Sequence, residues 1–164
     1  MIAEQMRTIF GYNGWAWARV FRRVEKLDPA AYHAPRPAFM GSIHALLVHA
    51  MSAEELWYAR ANGENPTGIL APEDFAAFPA VLARWREVIH RWSNYVQWLD
   101  DEDCRRPVAY RTTTGVPHTL DLVDILQHVV NHATEHRSQI TPVLYELGHA
   151  TEPLDYMLYR LGHA

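Results

Sequence analysis

Four long stretches of this chain carry apolar residues at helical spacing, and clusters of proline and glycine separate them. That alternation constrains the fold more than any other feature, because each apolar stripe has to be buried against another. The spacing predicts a first helix over about Ala3 to Leu27. Ile9, Trp15, Trp17, Val20, Phe21, Val24 and Leu27 carry its period, and Asp28–Pro29 ends it. Residues 28–41 then read as a proline-rich loop. Ser42 is a good N-cap for a second helix, which runs to about Ala61 and stops at "NGENPTG". A third is predicted from about Asp74 to Leu99, with Pro79 near its start and "DDED" after its end.

Val108, Tyr110 and Thr112 change the period to two. "TTG" offers a turn and Val116 to Leu120 a return strand, so this segment reads as a short β-hairpin. The fourth helix starts near Asp121 and ends at Gly148. Pro142 interrupts it, and should free the Ser138 carbonyl and bend the last turn. "PLDYMLYRLG" reads as a short tail helix. The predicted fold is all-α: an up-down four-helix bundle in a single domain over residues 1–164. A short β-hairpin precedes the last long helix, and a short helix closes the chain.

Composition narrows the function classes. A net charge of −4 and a pI near 6.2 argue against a nucleic-acid surface. No apolar run is long enough to span a bilayer, and the N-terminal "MIAEQMRTIF" has no secretory pattern. A cytoplasmic location is expected, and the single cysteine, Cys104, fits a reducing compartment. Cys104 lies between acidic residues and two arginines that pull its thiol in opposite directions, and it is read as a bystander.

Ten histidines are many for 164 residues. In "HVVNHATEHRSQ", His128, His132 and His136 each stand four residues apart, on one face of the helix. An i, i+4 pair is a common chelate, although surface or core histidines account for most isolated pairs. Two details favour ligands. Ile125, Val129, Ile140 and Val143 lie on the stripe of His132 and His136, so that stripe is buried and its imidazoles need partners. On the second helix His49 shares a face with Leu46 and Leu56, whereas His44 points about 140° away.

Three segments together resemble the DinB-like (damage-inducible) four-helix-bundle family. That family is unrelated to the DNA polymerase of the same name, and is grouped with metal-dependent enzymes. "YNGWAWARVFRRVEKL" looks like its first helix, "HAMSAEELWYAR" like its second, and "LQHVVNHATEHRSQI" like its signature of Asn-His-x-x-x-His-Arg-Gly-Gln. Carried over, the metal ligands fall on His49, His132 and His136, the residues that helical spacing also brings together. Ser138 replaces the family glycine and Pro142 is atypical; both lie beyond the ligands and bear on the helix end.

The other candidates read more plainly. His128 is an outer group rather than a fourth ligand, a turn too far from the level of His49. His33, His44, His90, His118, His149 and His163 are solvent or loop residues. Glu135 and Arg137 flank His136 and read as supports of the ligands or as interhelical pairs, with a structural salt bridge expected for Arg137 rather than catalysis. Glu54, five residues past His49, is poorly angled to orient a ligand or act as a base. Tyr12, Asn13 and Trp57 are pocket candidates. Arg19, Arg22 and Arg23 make a solvated basic face.

Three neutral imidazoles leave a divalent cation charged and open to water or substrate, the catalytic pattern, with Zn or Ni favoured. A small-molecule substrate follows. Thiol transfer with a low-molecular-weight thiol stands slightly ahead of hydrolysis, because no general base is evident beside the ligands. The resemblance implies both, since relatives include thiol-dependent transferases and isomerases. A homodimer is expected. The alternative is a non-catalytic dimeric stress-response or binding module whose metal is structural.

Overall fold

The computed structural model describes residues 1–37 and 40–162, and His163 lies outside them. Four long helices form the body: α1 (Ile2–Val24), α3 (Ile43–Ala61), α4 (Phe78–Gln97) and α5 (Leu122–Glu146). The hairpin strands are β1 (Pro107–Arg111) and β2 (Pro117–Asp121), and α6 (Tyr156–Arg160) follows α5. The four-helix bundle, the hairpin before the last long helix and the short terminal helix are all present as the sequence predicts.

Local chemistry explains most boundaries. Ser42 Oγ accepts the Ala45 N–H at 3.0 Å and starts α3 where expected. The loop after α1 differs from expectation. Asp28 Oδ1 accepts the Ala30 N–H and Pro29 supplies a ready-set first residue, so a short helix α2 (Pro29–His33) forms and buries Tyr32. α4 begins four residues later than predicted, because Pro72–Asp74 forms its own 3₁₀ turn, with the Asp74 carboxylate on the Ala71 N–H. α5 runs unbroken through Pro142 to Glu146. Gly148 ends that turn in the left-handed region (φ 78°), with the His149 N–H on the Leu144 carbonyl.

α1 and α3 each pack against both α4 and α5, so they occupy opposite corners of the bundle. The Met1 ammonium reaches Asp101, and Arg7 donates to the Leu99 carbonyl, so α1 begins where α4 ends. Tyr95 on α4 donates to the Ala61 carbonyl at the end of α3. At the other end Tyr32 touches both His44 and Phe78. α3 and α4 therefore run the same way, and strict up-down alternation does not extend through all four helices. The connection over residues 62–77 is long enough to return the length of a helix, which a tight turn is not. α3 and α5 run antiparallel: His49 meets His136 and, farther along, Trp57 meets His128.

The centre is aromatic, with Trp17, Trp85 and Trp92 buried and Phe10 and Phe21 beside them. The hairpin covers the end of the α3–α5 seam. Val108 points inward, and Asn65 accepts the Arg111 N–H at 2.7 Å. Among the described residues no helix is long and apolar enough to cross a membrane.

Candidate metal centre

The antiparallel seam of α3 and α5 brings His49, His132 and His136 to one point. One ring nitrogen of each lies within 4.8 Å of the others. His132 Nε2 and His136 Nε2 face each other at 3.0 Å. The His49 ring stands 4.9 Å from that of His136 and 5.5 Å from that of His132. His136 is buried, while His49 and His132 are half-buried.

The electrostatics favour unprotonated nitrogens. Burial lowers the His132 pKa to about 4, aided by His136, His49 and His128. Burial also lowers that of His49, with His136 adding to the effect and Glu135 opposing it. Imidazoles held neutral offer lone pairs. His136 Nδ1 lies 2.9 Å from Gln139 Oε1. With Nδ1–H donating to that oxygen, Nε2 is left bare and aimed at the other two rings. This donor set fits a divalent cation of the imidazole-binding kind and leaves coordination positions for water or substrate.

His128 lies at the exposed edge, its ring 5.7 Å from that of His132 and 4.8 Å from that of Trp57. It is outside the convergent group, as expected for an outer residue. Burial against its neighbours lowers its pKa, as does the Arg60 charge.

Behind the triad lies a buried polar network that the sequence did not reveal. Asn13 on α1 donates to Glu54 Oε1 at 3.1 Å, and Trp17 Nε1 donates to the same oxygen at 3.1 Å. Arg137, next to His136, donates to Asn13 Oδ1 and to Thr134 Oγ1. Its guanidinium packs over Tyr12 and Trp17. In place of the expected salt bridge, Arg137 holds an asparagine and two aromatic faces. Glu54 is turned into the core, which fits its poor angle toward the ligands. Burial raises its pKa to about 7 against the pull of Asn13, Arg137 and Trp17.

Several outer residues differ from the sequence reading. His44 is buried, between the Tyr32 hydroxyl at 3.0 Å and the Pro72 carbonyl at 2.9 Å, and is no solvent residue. It does point away from the triad. Arg19 is buried over the Trp15 ring, and with Arg22 and Arg23 it surrounds Glu152, so this basic group is a docking point for the α5–α6 connection. Cys104 is fully buried despite its charged sequence neighbours, and burial raises its thiol pKa, helped by Asp101 and Asp103. His33, His90 and His118 are exposed and His149 is half-buried. Gln139 had no role in the sequence reading, although it stands three residues after His136 in the quoted signature.

The DinB family model matches residues 1–162. The chain belongs to the DinB family. Protein DinB of Bacillus subtilis (strain 168) is 26% identical over 156 residues, covering 92% of this chain and 91% of that protein. YfiT from Bacillus subtilis, described as a probable metal-dependent hydrolase with an unusual four-helix bundle topology, is structurally similar. Its TM-score is 0.69 at 18% identity over 90% of each chain. A DinB-like protein of the same species, YjoA, has a TM-score of 0.60 at 16% identity, covering 93% of this chain and 94% of that one. At these identities the structural likeness speaks for the fold. The DinB-family bundle thus carries, in this chain, a three-histidine group able to hold a metal ion.

Proposed function

We propose that this DinB-family protein is a divalent-metal-dependent enzyme acting on a small molecule, with His49, His132 and His136 as the metal ligands. The convergence of three ring nitrogens from two antiparallel helices carries this reading. Zn or Ni is the expected ion. When bound, the cation supplies Lewis acidity and lowers the pKa of coordinated water.

The protein's own groups have distinct tasks. Gln139 fixes the tautomer of His136. The Asn13–Glu54–Arg137 network ties α1, α3 and α5 together behind the ligands. His128, at the exposed edge beside His132, is placed to accept a proton from a substrate or nucleophile. That last placement changes the ranking of reactions. Thiol transfer led on sequence grounds because no base was evident; with His128 beside the triad, hydrolysis comes first. The class agrees with the description of YfiT. A homodimer and a cytoplasmic location remain part of this reading.

The test is metal analysis of untagged protein, followed by turnover of small esters and amides with and without chelator. A parallel screen pairs low-molecular-weight thiols with an electrophile. Chelator-sensitive ester or amide turnover without thiol supports hydrolysis, and turnover only with thiol reassigns the chemistry to transfer. Tight metal binding with no turnover in either screen, and a melting temperature that falls on metal removal, favours the structural-module alternative.

A further inference from the structure

Arg60 is a buried charge that the triad does not use. It stands in the last turn of α3 and is 5% exposed. Its guanidinium lies 4.7 Å from the Trp57 ring centre and 5.1 Å from that of Tyr110. Among the described residues no carboxylate pairs with it, and its Nε has no hydrogen-bond partner. Buried guanidinium groups are normally matched by an anion, because desolvation penalises the lone charge. Two aromatic faces and the nearby helix carbonyl end offset only part of that cost.

Its position relates it to the metal centre. Arg60 packs on Trp57, the Trp57 ring lies 4.8 Å from His128, and His128 lies 5.7 Å from His132. These side chains form a track along the α3–α5 seam, from the hairpin to the triad. His128, midway along it, is exposed to solvent. A substrate held at both ends would lie along Trp57 and His128.

We infer that Arg60 is the anchor for an oxyanion end group, a carboxylate or a phosphate, of the small-molecule substrate whose reactive end lies at the three histidines. The planar fork of the guanidinium suits either group, and Trp57 and Tyr110 hold its plane. The inference deepens the proposed function and rests on it for the location of the reactive end. Anion binding at Arg60 does not itself require a metal.

The experiment therefore begins with metal-free protein. Binding of glutarate, inorganic phosphate and neutral glutaramide is followed by Trp fluorescence and by melting temperature, for wild type and Arg60→Gln. The expected result is that at least one anion binds and raises the melting temperature, glutaramide does neither, and Arg60→Gln weakens the anion about 10–100-fold. Glutarate alone or phosphate alone names the end group. Failure of both anions to bind wild type overturns the inference, as does undiminished binding to Arg60→Gln. Should Arg60→Gln not fold, Arg60→Lys replaces it, and its point charge should bind the same anion several-fold more weakly than the fork. A second arm uses Zn-loaded protein with 4-nitrophenyl acetate and mono(4-nitrophenyl) glutarate. The kcat/KM preference for the anionic over the neutral ester should disappear in Arg60→Gln. Anion binding lost in Arg60→Gln, with no turnover of either ester, keeps the anchor and refutes the hydrolase reading.

Discussion

His136 Nδ1 and Gln139 Oε1 lie 2.9 Å apart, three residues from each other on α5. The amide oxygen accepts a hydrogen bond from Nδ1–H and leaves Nε2 with its lone pair, so under the proposed function Gln139 decides which nitrogen is offered to the metal. Gln139→Leu should weaken Zn binding about 10–100-fold. Gln139 is half-buried, so the metal-free melting temperature should change little. Competition against a chromophoric chelator measures the affinity, and a value equal to wild type would remove Gln139 from the site.

Glu54 gives a pH prediction whose sign runs opposite to the usual carboxylate case. Burial raises its folded-state pKa to about 7, above the ordinary value of 4.5. Between these values the folded protein holds a proton that the unfolded chain has released. The Glu54 contribution is therefore intact below pH ~4.5 and is lost as pH rises toward ~7. Glu54→Gln keeps an acceptor for Asn13 and Trp17 and cannot ionise. Relative to wild type it should be more stable at pH 8, by on the order of 3 kcal/mol, and nearly equal at pH 4.5. Chemical denaturation at both pH values decides it, and comparison with wild type cancels the histidines, which pull the other way. A pH-independent difference would place the Glu54 proton elsewhere.

Cys104 is buried and its thiol pKa is raised, so the native protein should resist thiol reagents. Labelling by a neutral disulfide at pH 8 should be roughly 100-fold slower than for an unfolded control, and should accelerate across the urea transition. Fast labelling of the folded protein would mean that the segment after α4 opens on its own.

The sequence made His49, His132 and His136 legible because helical period is a local property. Spacing on one helix fixes which residues share a face, and apolar neighbours tell which face is buried. Ser42 as a cap was legible for the same reason. What escaped depends on contacts across the chain. His44 looked like a surface residue because its partners, Tyr32 and Pro72, come from connecting segments whose paths no periodicity encodes. Arg19 looked solvated because Glu152 lies far away in sequence. The shared direction of α3 and α4 depends on how residues 62–77 travel, and a loop's length permits either direction. The Asn13–Glu54–Arg137 network had its members in the quoted motifs, but nothing in one sequence tells a buried carboxyl facing an asparagine from one facing a metal.

His132→Ala tests the centre most directly, and His44→Ala is its control. His132 is half-buried and on the seam, so its loss removes one ligand while water can reach the Nε2 of His136. Bound Zn should fall below about a tenth of wild type, and any metal-dependent turnover should vanish with it. The metal-free protein should lose no more than about 1 kcal/mol, because the apolar core does not include this ring. His44 offers the opposite pattern. Its two nitrogens meet Tyr32 and Pro72 in a buried setting, so His44→Ala should cost about 1–3 kcal/mol by leaving those groups unsatisfied. It lies away from the triad and should keep full metal content. Metal content, melting temperature and turnover measured on both variants form one comparison. If His132→Ala retains its metal, or if His44→Ala loses it, the ligand set of His49, His132 and His136 is wrong.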